Sequence, residues 1–313
     1  MATYLITGGG GFIGSNIVEE LVRSNQRVRV LDNFATGRRE NLIPFMDKIE
    51  VVEGDLKDLE TVRQAARSID YVLHQGALPS VPRSIEQPTN TNDVNVTGTL
   101  NVLVASRDEG VKKVVLASSS SVYGNTHTLP KRETMEPVPL SPYAVSKLAC
   151  EHYARVFWTI YGLPTVTLRY FNVFGPRQNP HSQYSAVIPI FIKALANGQR
   201  PVIYGDGSQS RDFSYVENVV MANVLAVHEP GANGKVMNIA CQEAITLNDL
   251  VKELNSILGT SIEPEYKPER TGDVKHSLAD IGLAQAVMNY APRVRWREGL
   301  RRTVERLVES WKR

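Results

Sequence analysis

The 313-residue chain carries 35 Lys and Arg against 33 Asp and Glu, a formal charge of +2, and 42% of it is hydrophobic. That is ample apolar material for a large core, and the near-neutral balance excludes the clustered basic surface of a nucleic-acid binder. Two cysteines, Cys150 and Cys241, make neither a disulfide framework nor a metal cluster, so a reducing cytoplasm is the expected setting.

No apolar run approaches the roughly 20 residues that cross a bilayer, so no membrane partner is expected. No basic and apolar leader precedes the first strand-like run at Thr3-Tyr4-Leu5-Ile6-Thr7. Strands are predicted at 4–7, 27–31, 49–53, 71–74, 114–118 and 165–169, and helices at 13–24, 59–67, 95–109 and 142–161. The strands are β-branched and almost continuously hydrophobic, as strands covered on both faces must be. This alternation is the rhythm of an α/β, doubly wound (Rossmann) parallel sheet. After Phe171 the rhythm yields to loops punctuated by Gly175-Pro176, Gly205-Asp206-Gly207 and Pro230-Gly231. The expected organisation is a doubly wound domain over 1–171 and a smaller mixed α/β domain over 172–313, with some segments interleaved.

Gly8-Gly9-Gly10-Gly11-Phe12-Ile13-Gly14 sits between the first strand and the first helix. Glycines there let the backbone turn sharply and approach a pyrophosphate, to which the helix offers unpaired N–H groups and its positive dipole end. Asp32 closes the second strand and is placed to accept both ribose hydroxyls of NAD while repelling the 2′-phosphate of NADP. Arg38 and Arg39 keep NADP as a second option. Asp55 has two readings, an adenine contact or the N-cap of the following helix.

Tyr143 and Lys147 stand four apart in Ser141-Pro142-Tyr143-Ala144-Val145-Ser146-Lys147. Ser141 suits an N-cap and Pro142 a first helical position, so phenol and ammonium share one helix face. A phenol of pKa about 10 is a poor base at neutral pH, and a nearby cation favours its ionised form. Ala117-Ser118-Ser119-Ser120-Ser121-Val122-Tyr123-Gly124 follows the fifth strand. Ligands of open α/β sheets bind beyond such carboxyl ends, where a serine hydroxyl can meet a substrate alcohol.

These motifs, with Tyr170-Phe171-Asn172-Val173-Phe174-Gly175-Pro176-Arg177, resemble the extended short-chain dehydrogenase/reductase family over nearly the whole chain, and within it the nucleotide-sugar 4-epimerases. The resemblance implies Tyr143 as catalytic base, Lys147 as its modulator and a ribose ligand, Ser119 as hydroxyl partner and Ser121 as a second sugar contact. It implies NAD contacts from Gly8, Gly11, Phe12, Ile13, Gly14, Asp32 and Asn33. Further NAD contacts would come from Asp55, Leu56, Gln75, Gly76, Ala77, Asn95, Tyr143, Lys147 and Tyr170. For the substrate it implies Ser80 and Val81, Asn172 at the diphosphate, Ala186-Val187-Ile188 at uracil, and Arg211 and Arg270 as a diphosphate clamp. Asp273 and Ser277 follow in the same stretch, Ser277 on the place of a gate residue beside the sugar.

Related dehydratases carry an Asp-Glu pair after the catalytic Ser or Thr, and related decarboxylases a Glu before Val-Tyr-Gly. Ser120 and Ser121 stand there instead, and neither acts as a carboxylate would. The implied reaction is therefore 4-epimerisation of a UDP-hexose through a 4-keto sugar. A small gate leaves room for an N-acetyl group, pointing to UDP-N-acetylglucosamine/UDP-N-acetylgalactosamine, with UDP-glucose/UDP-galactose as a second pair. A reductase with net redox change and a catalytically silent NAD sensor are the alternatives; the second conflicts with the presence of Ser119, Tyr143 and Lys147. The helices at 95–109 and 142–161 resemble the pair that forms a four-helix homodimer interface. Leu100, Leu103, Val104, Val156 and Phe157 fit either that face or an intradomain one. The histidines at 74, 152, 181 and 276 lack metal-ligand spacing, and no metal is expected.

Overall fold

Seven short strands pair in parallel throughout: β1 (Thr3–Thr7), β2 (Arg27–Asp32), β3 (Ile49–Glu53), β4 (Tyr71–His74), β5 (Lys113–Ser119), β6 (Thr165–Tyr170) and β7 (Val236–Ile239). Their order across the sheet is β7-β6-β5-β4-β1-β2-β3. This is a computed structural model that describes residues 1–179, 187–269 and 275–311, the last three as backbone only.

Because side chains alternate across a strand, each strand feeds two cores. Tyr4 and Ile6 join Val30, Leu73 and Val166 on one face, packed by α1 (Phe12–Arg23). Leu5, Leu31, Val72 and Leu116 face the other way, under α2 (Leu59–Ala66), α3 (Gly98–Asp108) and α4 (Pro142–Tyr161). Every residue of β6 is buried, as a central strand covered on both sides requires. The sheet order reverses direction at β1 and β4, and the crevice beyond their carboxyl ends is where such sheets take ligands.

The six expected strands are all present, each within a residue or two of its predicted bounds. The helix expected from 95 begins earlier, as a short α-helical segment at Pro88–Asn92, passes through a π-helical turn at Asp93–Thr97 and becomes regular α3 at Gly98. The extra residue in that turn goes with an inward Asn95 that bonds the 78 loop. The seventh strand was not foreseen. It is short, and its Asn238 is fully buried, bonded by the Tyr123 hydroxyl and donating to the Lys131 and Asp280 carbonyls. Together with helix α5 (Val216–His228), which packs on α1 and β5, it brings part of the loop-rich half back onto the main sheet.

Beyond these, among the described residues the C-terminal half holds the helices Val187–Ala196, Leu247–Leu258, Gly282–Met288 and Trp296–Trp311 and three short strand pairs. Leu103 and Phe157 belong to the core between sheet and helices, which selects the intradomain alternative for these two. The apolar side chains that α4 does expose are Val145, Tyr153, Val156, Ile160 and Tyr161. Among the described residues no helix is long and apolar enough to cross a membrane, and no cluster of His, Cys, Asp and Glu could hold a metal.

Candidate active site

A cleft of about 860 Å³ runs along the carboxyl ends of β1, β2, β4 and β5. The glycine turn forms its floor. Gly8 has φ +68°, its amide donates to Leu31 O at 2.8 Å, and its carbonyl accepts from Gly11 at 3.0 Å. A Cβ on Gly14 would lie 2.1 Å from the Gly8 oxygen, so only glycine permits this approach of helix to strand. The N-cap of α1, Gly11, has no side chain to bond the first amides, which leaves them for a ligand.

Asp32 accepts from the Gly10 amide and from the Phe34 amide, each at 2.8 Å. Burial pushes its carboxyl above the usual value, with the two amides acting against that. The loop after β2 wraps back over the glycine turn, since Arg38 N and Asn41 Nδ2 both donate to Gly10 O. Arg39 pairs with Glu53 and lies over the Phe34 ring. Asp55 is not the helix cap. Asp58 caps α2 by accepting from Glu60 N at 3.0 Å, whereas Asp55 lines the cleft and accepts from Lys57 N and Asn33 Nδ2.

The far wall carries Tyr143 and Lys147. Ser141 caps α4 by accepting from Ala144 N at 3.2 Å, with Pro142 next, so the helix starts in register for both residues. Lys147 is buried and donates from Nζ to Ala117 O at 2.9 Å, which ties α4 to the last turns of β5. Tyr143 is half-buried in the same cleft, and among the described residues nothing bonds its hydroxyl. Ser119 is the last residue of β5 and caps the turn that follows. Its Oγ accepts from Ser121 N and donates to Ser121 Oγ, both at 3.1 Å.

The model of the NAD dependent epimerase/dehydratase family matches residues 4–240. A putative UDP-glucose 4-epimerase from Methanocaldococcus jannaschii is 37% identical over 302 residues, 96% of either chain. The chain belongs to the NAD-dependent epimerase/dehydratase family. Among solved structures, a UDP-N-acetylglucosamine 4-epimerase from Methanobrevibacter ruminantium, in complex with UDP-N-acetylmuramic acid, superposes with a TM-score of 0.94 at 41% identity and 99% coverage of both chains. The UDP-glucose 4-epimerase of Thermus thermophilus, in complex with NAD, gives 0.89 at 38% identity, covering 98% of this chain and 99% of that one.

NAD is the cofactor of this epimerase/dehydratase family, and the cleft fits it: a glycine turn with no room for side chains, uncapped helix amides and a buried carboxylate at the end of β2. All the residues expected at the cofactor line this cleft except Asn95. Asn95 is buried behind the wall, where its amide is taken up by Leu78 N, Leu78 O and Ser146 Oγ. Ser80 also lines the cleft, in a strained backbone of φ +102°, and Val81 follows it half-exposed at the start of a short helix.

Of the residues expected at the sugar nucleotide, Asn172, Arg211 and Ser277 gather around one short strand. Asn172, at φ +35°, donates to Asp212 O at 3.2 Å. Arg211 donates to Ser210 O and Lys275 O, and the Ser277 amide donates to Ser210 O at 3.1 Å. All three thus meet on the short strand Ser210–Asp212, while Val187 starts its own helix. Ala186, Arg270 and Asp273 lie outside the described residues.

Sequence reasoning missed Asn223. It is fully buried on α5, donates to the Tyr170 hydroxyl at 2.8 Å and accepts from Gln75 Nε2 at 3.1 Å, fixing two residues of the cleft from behind. A polar residue inside an apolar helix was its one visible signal. Asp212 was missed too. It accepts from the Cys241 and Ala279 amides, and burial raises its carboxyl to about 6.

Proposed function

We propose that this chain is a UDP-hexose 4-epimerase working through a 4-keto sugar. Its principal pair is UDP-N-acetylglucosamine and UDP-N-acetylgalactosamine, with UDP-glucose and UDP-galactose accepted in the same pocket. The observation that carries the reading is the shared cleft: Tyr143 and Lys147 face the space floored by the glycine turn, and Lys147 is bonded to the strand that ends in Ser119. The absence of a carboxylate at Ser120 and Ser121 favours epimerisation over elimination or decarboxylation. The likeness to the N-acetylglucosamine epimerase at 41% identity and the small Ser277 support the N-acetyl pair.

Bound NAD, held by the glycine turn and Asp32 and retained between turnovers, supplies the hydride acceptor and donor at carbon 4. Tyr143 Oη takes the proton of the sugar 4-hydroxyl and returns it at the end. Lys147 presents its ammonium on the same helix face, and Ser119 Oγ holds the 4-oxygen beside Tyr143. Ser80, Val81 and Ser121 border the sugar. Asn172, Ala186 and Val187 hold the nucleotide, with Asp273 beside them. Arg211 and Arg270 anchor the diphosphate, a task for which the planar guanidinium fork is suited. With that anchor fixed, the keto sugar turns over and presents its other face. Residues 1–171 form the NAD domain and 172–313 the sugar-nucleotide domain, with α5 and β7 crossing back.

The exposed apolar face of α4, with Val145, Tyr153, Val156 and Ile160, supports a homodimer built through a four-helix bundle with α3. Sedimentation at the mass of two chains is the expected result. The deciding experiment is to incubate the protein separately with the four UDP-sugars and resolve the products by chromatography. Interconversion of both N-acetylated sugars is expected. Turnover of UDP-glucose alone would overturn the N-acetyl reading, and no turnover of any would overturn the function.

A further inference from the structure

Beneath the catalytic wall lies an ion pair that the reaction itself does not use. Glu151 and Arg169 are each only 4% exposed, and Arg169 Nη2 meets Glu151 Oε2 at 2.6 Å while Nε donates to Oε1 at 2.9 Å. Glu151 stands one helical turn beyond Lys147 and two beyond Tyr143, on the same face of α4. Arg169 is the register partner of Ser118 in the β5–β6 ladder. The Ser118 hydroxyl donates to Glu151 Oε1 at 2.5 Å. On the other side of the serine turn, the Arg169 guanidinium lies 4.7 Å from the centre of the Tyr123 ring. The Tyr123 hydroxyl is itself fixed by Asn238 at 2.7 Å.

We propose that the Glu151–Arg169 pair, acting through Ser118 and Tyr123, is a positioning device. It clamps the 119–122 turn at both ends and holds the Ser119 hydroxyl in register with Tyr143. This rests on the reading of Tyr143 and Ser119 given above. A buried ion pair is a costly filling for a core, and apolar residues of the same volume would do as well for stability. The cost is heightened here, because Arg169 Nη1 is buried with no partner among the described residues. What the ions add is direction. One carboxylate on the catalytic helix receives both the strand that leads into Ser119 and the guanidinium that packs the end of its turn. Lys147, bonded to Ala117 O, makes a parallel tie one residue earlier.

Removing Glu151 would strand a buried cation and threaten folding, so the test cuts the linkage at Ser118, which leaves the pair intact. Ser118→Ala and Ser118→Thr are compared with wild type in three measurements: melting temperature with NAD content, amide hydrogen exchange at 119–124, and kcat and KM with UDP-N-acetylglucosamine. For Ser118→Ala, exchange at 119–124 is expected to rise about tenfold while α1 is unchanged. Its kcat is expected to fall about tenfold or more with KM held within about twofold, as misplacement of a reacting group predicts. NAD content stays near wild type, the melting temperature falls by only a few degrees for the lost hydrogen bond, and Ser118→Thr recovers both exchange and kcat. Unchanged exchange in Ser118→Ala overturns the proposal, and so does an unchanged kcat in an active wild type. Should the wild type epimerise no UDP-hexose, the function falls, and the exchange measurement still decides whether the clamp exists.

Discussion

Asn95 donates from Nδ2 to the Ser146 hydroxyl at 3.0 Å, and Ser146 donates in turn to the Tyr143 carbonyl at 2.8 Å. The same Asn95 amide holds both the N–H and the C=O of Leu78. One buried side chain therefore joins the catalytic turn of α4 to the loop that carries Ala77 and Ser80. Asn95→Ala leaves two backbone groups and a hydroxyl short of partners. A loss of about 2 to 4 kcal/mol is expected from such unsatisfied groups, readable as a lowered urea midpoint. A midpoint equal to wild type would show that the loop has other support.

The Tyr143 hydroxyl contributes nothing to the fold among the described residues, so Tyr143→Phe separates chemistry from stability. Loss of about 10²- to 10⁴-fold in kcat is expected for a missing general acid/base. The melting temperature and the affinity for UDP by calorimetry are expected to stay at wild-type values. Full turnover by this variant would remove the tyrosine from the mechanism.

Much of the fold is legible from the sequence because its signals are local. The strands of the sheet announce themselves by β-branched runs, and Ser141-Pro142 marks the start of α4 to the residue. Tyr143 and Lys147 are legible for the same reason, since helix spacing alone puts them on one face. What was not legible depends on partners distant in the chain. Asn223 meets Gln75 across 148 positions and Asn238 meets Tyr123 across 115. An asparagine in a short apolar run reads as a loop until its buried partners are known. The two readings of Asp55 could not be separated locally: Asp55 and Asp58, three residues apart, satisfy the same capping rule, and only the backbone course gives the cap to Asp58 and leaves Asp55 in the cleft.

Gly14→Ala tests the floor of the cleft. The new methyl would meet the Gly8 carbonyl at 2.1 Å and Gly9 Cα at 2.9 Å, both backbone atoms that no side-chain rotation relieves. Forced overpacking costs about 1 to 3 kcal/mol, and if that falls on the NAD-binding turn it corresponds to roughly five- to a hundredfold in affinity. The expected outcome is a purified protein depleted of NAD, measured after acid release, that regains activity when NAD is added in excess. Full retention of NAD would mean that the turn does not contact the pyrophosphate.

His74 contributes to the response to acid. It is buried at the end of β4, and burial, aided by the Lys147 charge, lowers its pKa to about 3. Its two nitrogens are already assigned. Thr99 gives its proton to Asn95 O at 2.5 Å and so accepts from His74 Nε2. With the ring proton on Nε2, Nδ1 accepts from the Thr7 hydroxyl, which itself accepts from Gly76 N. The folded chain thus keeps a neutral imidazole, while the unfolded chain takes up a proton as pH falls below about 6.5. Its contribution is fully present above that value and is lost as pH falls from about 6.5 towards 3. Between pH 7 and pH 5 the loss amounts to about 2 kcal/mol, at about 1.4 kcal/mol per unit below the unfolded value. His74→Gln has no proton to take up. Its unfolding free energy is therefore expected to fall less over the same interval, by about that amount, in urea titrations at the two pH values. Parallel slopes for the two proteins would mean that His74 ionises in the folded state.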